Sequence, residues 1–486
     1  MNSSILTRKR PMGRRTIALL LLIELALVAG MWLLPTGRVL LIGGAIGGGL
    51  LVLLLPVWPQ ILFPMMVAAT ALDRTGILGE RSTLFTLTMF HFAGGGALAF
   101  WVIHSLWKRE TSIPRLELTI PLLLFLAVHG FSVLYSPNRL VGTVYFFRLM
   151  ALSAVIYATA SVIRNKYWVQ MMIGAVLLLA VGLAGFGIFQ MLTDAYFLPA
   201  TFVSAVGANT PRAAGTFHNP NDFGTFLMVS MMLTATFMVQ LKFSWKWHPA
   251  LLGMFAVLSA GLVTSFSRAN WVAAAVGLFC IAVLSRKLKL LGVAFVVFLV
   301  ILMVISAISA NFADLVFGRF LSIFKTISEF GSFTQVSATA RIQFVMGAFN
   351  MFVHNPFFGI GVRGFPVAFD QYKPADFPIW LPTRESHTLP ATIIAEFGIV
   401  GFAISIWLVV VVLRAGIGAF RKTEDEYLRA AQLGLVVAFI GYQVSMVFTG
   451  AITDNFFWIV TGMLFAVREA GLRDRLTSNT DAANGC

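Results

Sequence analysis

The sequence predicts an all-α fold, a polytopic helical bundle that crosses a membrane about 14 times and carries a large loop on one side. Of the 486 residues, 58% are hydrophobic and 11% are charged, whereas a soluble domain typically has about a quarter charged residues. Apolar runs of about 17 residues or more recur along the chain, and each can cross a hydrocarbon core of ~30 Å as a helix. The charged residues cluster in short loops between these runs, a pattern typical of membrane proteins.

The apolar segments set the predicted order of the spans. They lie at roughly 16–34, 39–55, 60–72, 84–106, 119–135, 141–163, 168–190, 222–241, 249–265, 270–284, 288–308, 388–413, 430–448 and 455–467. Segment 60–72 is short and follows two prolines, so it is either a full crossing or the return half of a broken hairpin buried in protein. The first run lacks a small-x-small cleavage site, so we expect a retained span rather than a signal peptide.

The basic residues predict the orientation. With the N-terminus in the cytoplasm, most of the 35 Lys and Arg residues fall in cytoplasmic loops, as the positive-inside rule requires. Both termini are then cytoplasmic, and the long loops 192–221 and 309–386 face the other side. We therefore expect a bacterial inner-membrane protein with N-terminal spans in 1–191, a second group of spans in 192–467 and a cytoplasmic tail in 468–486.

The net charge of +15 does not indicate a nucleic-acid partner, because the basic residues lie beside predicted spans, where anionic membrane lipid is the expected partner. Neither cysteine has the spacing of a disulfide framework or a thiolate metal site. No metal-ligand set and no nucleotide-binding glycine loop is recognisable, so we predict no metal and no cofactor.

The first long loop ends in a polar segment that leads directly into a span. It contains Arg212, Gly215 and Asn221. Asn221 is a good candidate N-cap, and the helix N-terminus would then present free N–H groups favourable to anions. Arg212 adds donors suited to phosphate. The alternative is that this segment only caps a helix and that Arg212 holds the interface.

Two further arginines lie on the same predicted rim. Arg268 follows Ser267 at the outer end of a tight helical hairpin, and Arg341 begins an amphipathic helix over 341–353. The apolar residues of that helix recur at helical spacing, so it would lie along the membrane surface or cap the bundle. Each arginine alone fits a side chain that extends to lipid headgroups, but several together fit a multiply charged phosphate.

His387 lies where the large loop meets the next span. A histidine at this interface titrates near neutral pH and is a candidate general base. Glu385, two residues earlier, is a carboxylate that can orient its ring. An ordinary interfacial histidine remains the alternative.

Taken in order, these motifs resemble those of the bacterial O-antigen ligase and O-antigen polymerase superfamily. The resemblance covers about residues 205–402. It rests on the segment from Arg212 to Asn221, on Ser267-Arg268 and Arg341, on the Asn-Pro-Phe-Phe-Gly-Ile-Gly segment 355–361, and on Ser386-His387 followed by Glu-Phe-Gly at 396–398.

The resemblance implies a periplasmic glycan transferase with an O-antigen ligase-like catalytic region in 192–467. Such enzymes transfer a glycan from an undecaprenyl-pyrophosphate carrier to an acceptor hydroxyl on lipid A-core, on protein or on another lipid-linked glycan. It also implies His387 as the catalytic histidine, and Arg212, Arg341 and Arg268 as pyrophosphate-binding residues. Where members of the family often have asparagine after the histidine, this chain has Thr388.

Three alternatives remain open at the level of sequence, and one of them is a structural membrane partner in a polysaccharide assembly complex, with an inert site. A ligase and a polymerase differ in their acceptor, and the motifs do not separate them. A lipid-linked oligosaccharide transporter or flippase would show charges along a central path and repeat symmetry. Glu24 and Arg148 are ionisable residues within spans, and two such residues are few for a transport path. Each of them is expected to have a partner.

Overall fold

The part of the chain that the structure describes is a bundle of α-helices. The structure, a computed structural model, describes residues 60, 62–71, 114–193, 212–217, 219–242, 247–288, 336–375, 377, 386–449 and 454–484, with single positions between 94 and 105 and between 292 and 321. These residues form helices and turns, without a β-strand. The predicted all-α class is therefore confirmed for them, and the total of about 14 crossings stays a prediction.

The helices follow the predicted spans closely. Those of the first half are α1 Leu62–Ala71, α2 Thr119–Val133, α3 Arg139–Val162, α4 Lys166–Thr193, α5 Pro220–Gln240 and α6 His248–Thr264. Those of the second half are α7 Arg268–Leu284, α8 Val336–His354, α9 Phe365–Tyr372, α10 Leu389–Lys422, α11 Glu426–Thr449 and α12 Asn455–Asn484. Among the described residues, five helices (α3, α4, α5, α10 and α11) are long and apolar enough to cross a membrane, and α2, α6 and α7 are shorter apolar helices.

Some predicted spans lie outside the described residues, and one ends at a different place from the observed helix. The predicted spans 16–34 and 39–55 lie outside the described residues, as do almost all of 288–308 and much of 84–106. A helix is present within 60–72, and it packs against α4 and α12. At the other end of the chain, α12 continues through the predicted tail to Asn484 instead of ending near Val467.

The central helix of the described bundle is α5. It packs against α6, α7 and α11, and 89% of its 18-residue apolar window is buried inside the protein. A helix that is apolar on every side is stable only when it is enclosed. The outer loop that leads into α5 is thereby tied to the middle of the bundle.

Polar contacts gather at both ends of this bundle. At one end, Lys166 Nζ lies 2.6 Å from Asp425 Oδ2, and Arg468 forms an ion pair with Glu117. At the opposite end, the loop before α5 hydrogen-bonds to the turn between α6 and α7. The first of these ends is the one that the distribution of basic residues assigns to the cytoplasm.

The prediction that Asn221 caps α5 is wrong. The cap is Asn219, whose backbone is extended (φ −141°, ψ 155°) and whose side chain accepts hydrogen bonds from the N–H groups of Asn221 and Asp222. The helix begins one residue later, at Pro220, because the proline ring fixes a helical φ and removes an N–H that would have no partner in the first turn. Asn221 therefore lies inside the first turn, where its side chain is available for other contacts.

Helix α10 is broken at Gly398, whose backbone has φ 61° and ψ −161°. In an uninterrupted helix, the carbonyls of Ala395 and Glu396 would accept from the N–H groups of Ile399 and Val400. The break separates these four groups, and membrane-embedded backbone cannot leave them unpaired.

The turn after α8 supplies the missing partners. Ile360 N donates to Ala395 O at 3.0 Å, and Gly361 N donates to Glu396 O at 2.9 Å. The other two bonds run in the opposite sense, because Ile399 N donates to Pro356 O at 2.8 Å and Val400 N donates to Phe357 O at 3.2 Å. The two motifs at 355–361 and 396–398 thus form one interlocked structural unit.

Helix α8 confirms the predicted amphipathic helix in the large loop and begins five residues before Arg341. It packs against α9 and α10 through a face that includes Phe344, Ala348 and Met351, all buried. Of the apolar residues that predicted the helix, Ile342 and Phe352 are half-buried, and four lie exposed on another face: Val345, Met346, Phe349 and Val353. The helix therefore caps the bundle through a face that the apolar periodicity did not single out.

Candidate functional site

The loop that carries Arg212 is held by backbone contacts to its neighbours. The backbone N–H of Ala213 donates to the carbonyl oxygen of Thr264 at 3.0 Å, and Thr264 is the last residue of α6. Two residues later, the side chain of Gln190 binds Gly215 in both directions, accepting from its N–H at 3.0 Å and donating to its carbonyl at 3.2 Å. Gly215 has a φ of +56°, which favours glycine. The position of Arg212 is thus set by α4 and α6 together.

Arg212 itself is fixed by two hydrogen bonds. Its Nε donates to Ser265 O and its Nη2 donates to Asn221 Oδ1, both at 2.9 Å. The same Asn221 oxygen accepts from Ser267 Oγ at 3.0 Å. The first-loop arginine, Asn221 and the serine of the Ser-Arg pair are therefore brought together, as a shared site requires.

Ser267 lies in the tight turn that was predicted between two spans. Helix α6 ends at Thr264 and α7 begins at Arg268, and Phe266 between them has a φ of 49°. Arg268 is the first residue of α7 and is half-buried. Arg268 therefore begins α7 directly after Ser267, the serine that contacts Asn221.

Asn270 joins this arrangement to the centre of the bundle, and sequence reasoning missed it. Its Nδ2 donates to Asn221 O at 2.8 Å and to Ser267 Oγ at 3.0 Å. Its Oδ1 accepts from Thr225 Oγ1 at 3.0 Å and from Ser445 Oγ at 2.8 Å. Asn270 is completely buried, and these four contacts satisfy its amide while connecting α5, α7 and α11. An asparagine inside an apolar segment was the available signal, because a buried amide requires partners.

His387 lies at the start of α10, and its side chain is exposed. Its backbone has a φ of 52°, which is uncommon for a residue other than glycine. Ser386 beside it is fully buried. Ser386 Oγ accepts from Thr388 N at 3.2 Å and lies 2.5 Å from Thr392 Oγ1, so a local turn orients the histidine outward.

The remaining candidates lie on separate elements. Arg341 is half-buried in α8, the helix that packs against α10. Glu385 lies outside the described residues. The candidates thus form two groups, one on α5, α6 and α7 around Arg212 and one on α8 and α10 around His387. Helix α11 connects them, because it packs against α10 and supplies Ser445 to Asn270.

A second polar cluster lies where α3 meets α12. Arg148 Nη2 donates to Asn455 Oδ1 at 3.2 Å, so the expected partner of this intramembrane arginine is present. Next to Asn455, Asp454 Oδ1 accepts a hydrogen bond from Phe456 N at 2.9 Å. Glu24 itself lies outside the described residues.

These observations define a class: a multi-span helical membrane protein with an arginine-containing polar site at one end of its bundle. The comparisons with known proteins are more specific. The family model described as O-antigen ligase matches residues 253–406, which include Arg268, Arg341 and His387. This match confirms the resemblance that the ordered motifs predicted.

One curated relative is similar over a longer part of the chain. It is the teichuronic acid biosynthesis protein TuaE of Bacillus subtilis (strain 168), with 22% identity over 369 residues, which are 73% of this chain and 72% of the relative. The similarity therefore extends well beyond the segment that the family model matches. The family and this relative together support a ligase or polymerase role in polysaccharide biosynthesis.

Proposed function

We propose that this protein transfers a glycan from an undecaprenyl-pyrophosphate carrier to an acceptor hydroxyl on the periplasmic face of the inner membrane. The observation that carries the proposal is the fixation of Arg212 by Asn221 and Ser265, beside the Ser267-Arg268 pair. An arginine held in this way needs little reorganisation to receive a developing phosphate charge.

The reaction is a single displacement at the anomeric carbon of the donor sugar. The acceptor oxygen forms a bond to this carbon while the bond from the carbon to the pyrophosphate oxygen breaks. The pyrophosphate leaves on the polyprenyl chain with the bonding electron pair, and the hydroxyl proton passes to His387. Direct attack inverts the configuration of the anomeric carbon.

The proposed residues divide this work. Arg212, Arg268 and Arg341 neutralise the pyrophosphate, so that it leaves without a metal ion. His387 removes the proton from the acceptor, a contribution worth ~10²–10⁴-fold, and its exposed side chain is accessible to a hydroxyl. Asn221 supports Arg212, and Glu385 supports the histidine.

The membrane setting fits a lipid-linked donor, which reaches the site from within the bilayer. The orientation proposed from the basic residues places both termini in the cytoplasm and the Arg212 end of the bundle in the periplasm. Because the donor is already across the membrane, no cytoplasmic nucleotide-sugar domain is needed. The acceptor is lipid A-core or protein for a ligase and a second lipid-linked glycan for a polymerase.

The test is glycan transfer by the purified full-length protein in nanodiscs, with an undecaprenyl-pyrophosphate oligosaccharide and a chelator. A product ladder from the donor alone indicates a polymerase, and product only with lipid A-core indicates a ligase. Arg212→Ala should abolish transfer, whereas Arg139→Ala should not, because Arg139 is an exposed arginine at the start of α3.

Failure of all donors to react, combined with movement of the glycolipid across a liposome membrane, would contradict the proposal and support a transporter. His354→Ala is a control for His387→Ala, since His354 is also exposed and lies at the end of α8. Equal loss of transfer in both histidine variants would contradict the specific role of His387.

A further inference from the structure

The outer helix α8 has two apolar faces, and only one of them packs against the part of the protein that the structure describes. The face with Phe344 and Ala348 is buried. Val345, Met346 and Phe349 lie on the other face and are 41%, 47% and 59% exposed. Their spacing continues to Val353 one turn further on, so the exposed residues form a stripe along the helix.

The stripe continues into the turn that follows α8. Phe357 and Phe358 are 66% and 48% exposed. An exposed pair of phenylalanines next to an apolar helix face makes a contiguous patch, which soluble surfaces rarely carry unless it has a partner.

Contacts to α2 connect this patch to the lipid-facing side of the bundle. The rings of Phe358 and Phe131 have centroids 5.8 Å apart, and Tyr135 Oη donates to Phe358 O at 2.7 Å. Phe131 belongs to a row of exposed apolar residues on α2, an apolar helix predicted to span the membrane. That row consists of Ile120, Leu123, Leu124 and Phe131, and it continues to Leu134 directly after the helix.

The position of the turn along α10 indicates its depth. The turn pairs with α10 at the Gly398 break. Arg414 is the first basic residue toward the other end of α10, and about 20 helical residues are needed to cross a hydrocarbon core of ~30 Å. Counting outward from Arg414 therefore places the outer edge of the core near residue 394. Gly398 and the paired turn then lie just inside this edge.

The neighbouring helix α9 has a different exposed surface. Asp370, Gln371 and Lys373 are exposed there, and Lys373 Nζ lies 3.0 Å from Asp370 Oδ1. Charged side chains of this kind remain in water or at headgroups. The apolar stripe of α8 and the polar surface of α9 thus separate a lipid side from a water side within one loop.

We propose that the exposed face of α8 and the Phe357–Phe358 turn are embedded in the membrane, in contact with the acyl chains of the leaflet on the His387 side. The large loop is then an in-plane anchor, which holds the start of α10 at the membrane surface through the interlock at Gly398. This proposal does not depend on the transferase activity.

The test measures the depth of single labels in the full-length protein in nanodiscs. Cys280 and Cys486 are replaced by alanine, and a fluorescent label is attached to Phe349→Cys, Phe358→Cys or the control Gln371→Cys. The nanodiscs contain phosphatidylcholine with a nitroxide on its acyl chain, or the buffer contains iodide. Labels at 349 and 358 should be quenched several-fold more by the lipid nitroxide than by iodide, and the label at 371 should show the reverse.

Two outcomes would overturn the proposal. Iodide quenching at 349 and 358 as strong as at 371 would mean that the stripe faces water. Resistance to both quenchers would mean that protein covers it. Met346→Cys probes the same face with a smaller change in side chain, so a folding defect in one variant leaves the comparison intact.

Discussion

Replacing Gly398 by alanine is expected to destabilise the protein by breaking the interlock between α10 and the turn after α8. A Cβ atom at this position would lie 2.5 Å from Phe357 C and O and 2.7 Å from Phe358 N. These neighbours are backbone atoms, so no side-chain rotation relieves the contact. The backbone angles of φ 61° and ψ −161° are also unfavourable for any residue with a side chain.

The expected magnitude follows from these two effects. Holding a non-glycine residue in this region costs about 1–3 kcal/mol. If the displaced turn loses two of its four hydrogen bonds to α10, at about 1 kcal/mol each, the loss is about 2 kcal/mol more. We therefore expect the free energy of unfolding to fall by about 3–5 kcal/mol.

The assay is thermal unfolding in detergent, with glycan transfer measured on the same preparations. Gly418→Ala is the matched control, because Gly418 lies in the same helix and a Cβ atom added there would have no neighbour within 4 Å. That change should be neutral or stabilise by up to about 1 kcal/mol. A Gly398→Ala protein that unfolds at the same temperature as Gly418→Ala would refute the reasoning.

Four other changes have defined outcomes. Arg212→Lys should reduce the turnover of transfer about 10²–10³-fold, as measured with the lipid-linked donor, because a lysine cannot maintain the fork of contacts to a carbonyl and an amide. His387→Ala should lower the rate by ~10²–10⁴-fold without changing the melting temperature, because the side chain is exposed. Asn270→Leu should lower the free energy of unfolding by about 2–4 kcal/mol, measured in detergent, since it leaves buried polar partners unsatisfied. Burial raises the pKa of Asp425, but the hydrogen bond and charge of Lys166, with backbone N–H groups, outweigh this and lower the pKa overall. The stabilisation from this lowered pKa is present above the ordinary carboxyl pKa and is lost as the pH falls through the lowered value. The melting temperature should therefore fall as the pH is lowered through this range, and Asp425→Asn should remove that part of the fall.

Several features of the site were predictable because their signals are local in the sequence. Polar loops meet apolar runs at Arg212, at Ser267 and at His387. The location of these residues at span ends therefore followed from hydropathy alone. The cap of α5 was misplaced by two residues. The sequence around it contains asparagine at both 219 and 221, and the fixed φ of Pro220 decides between them.

The contacts that unite the site were not predictable in this way. Asn270 has one polar neighbour three residues before it, but its other partners lie 45, 49 and 175 residues away along the chain. The Gly398 break was visible only as a glycine within a span. Its pairing with the turn after α8 depends on two segments being packed side by side, which apolar periodicity does not encode.

The sequence by itself determined that this is a helical membrane protein, which segments are apolar, and in which order its arginines and its histidine follow one another. These properties depend on the length of apolar runs and on the nearby charges, and both act over a few helical turns. The tertiary structure alone decided which buried polar groups satisfy one another, how the broken α10 is completed and which face of α8 packs against the bundle. Buried hydrogen bonds require partners at distances near 3 Å, and only the packing of distant helices brings those partners together.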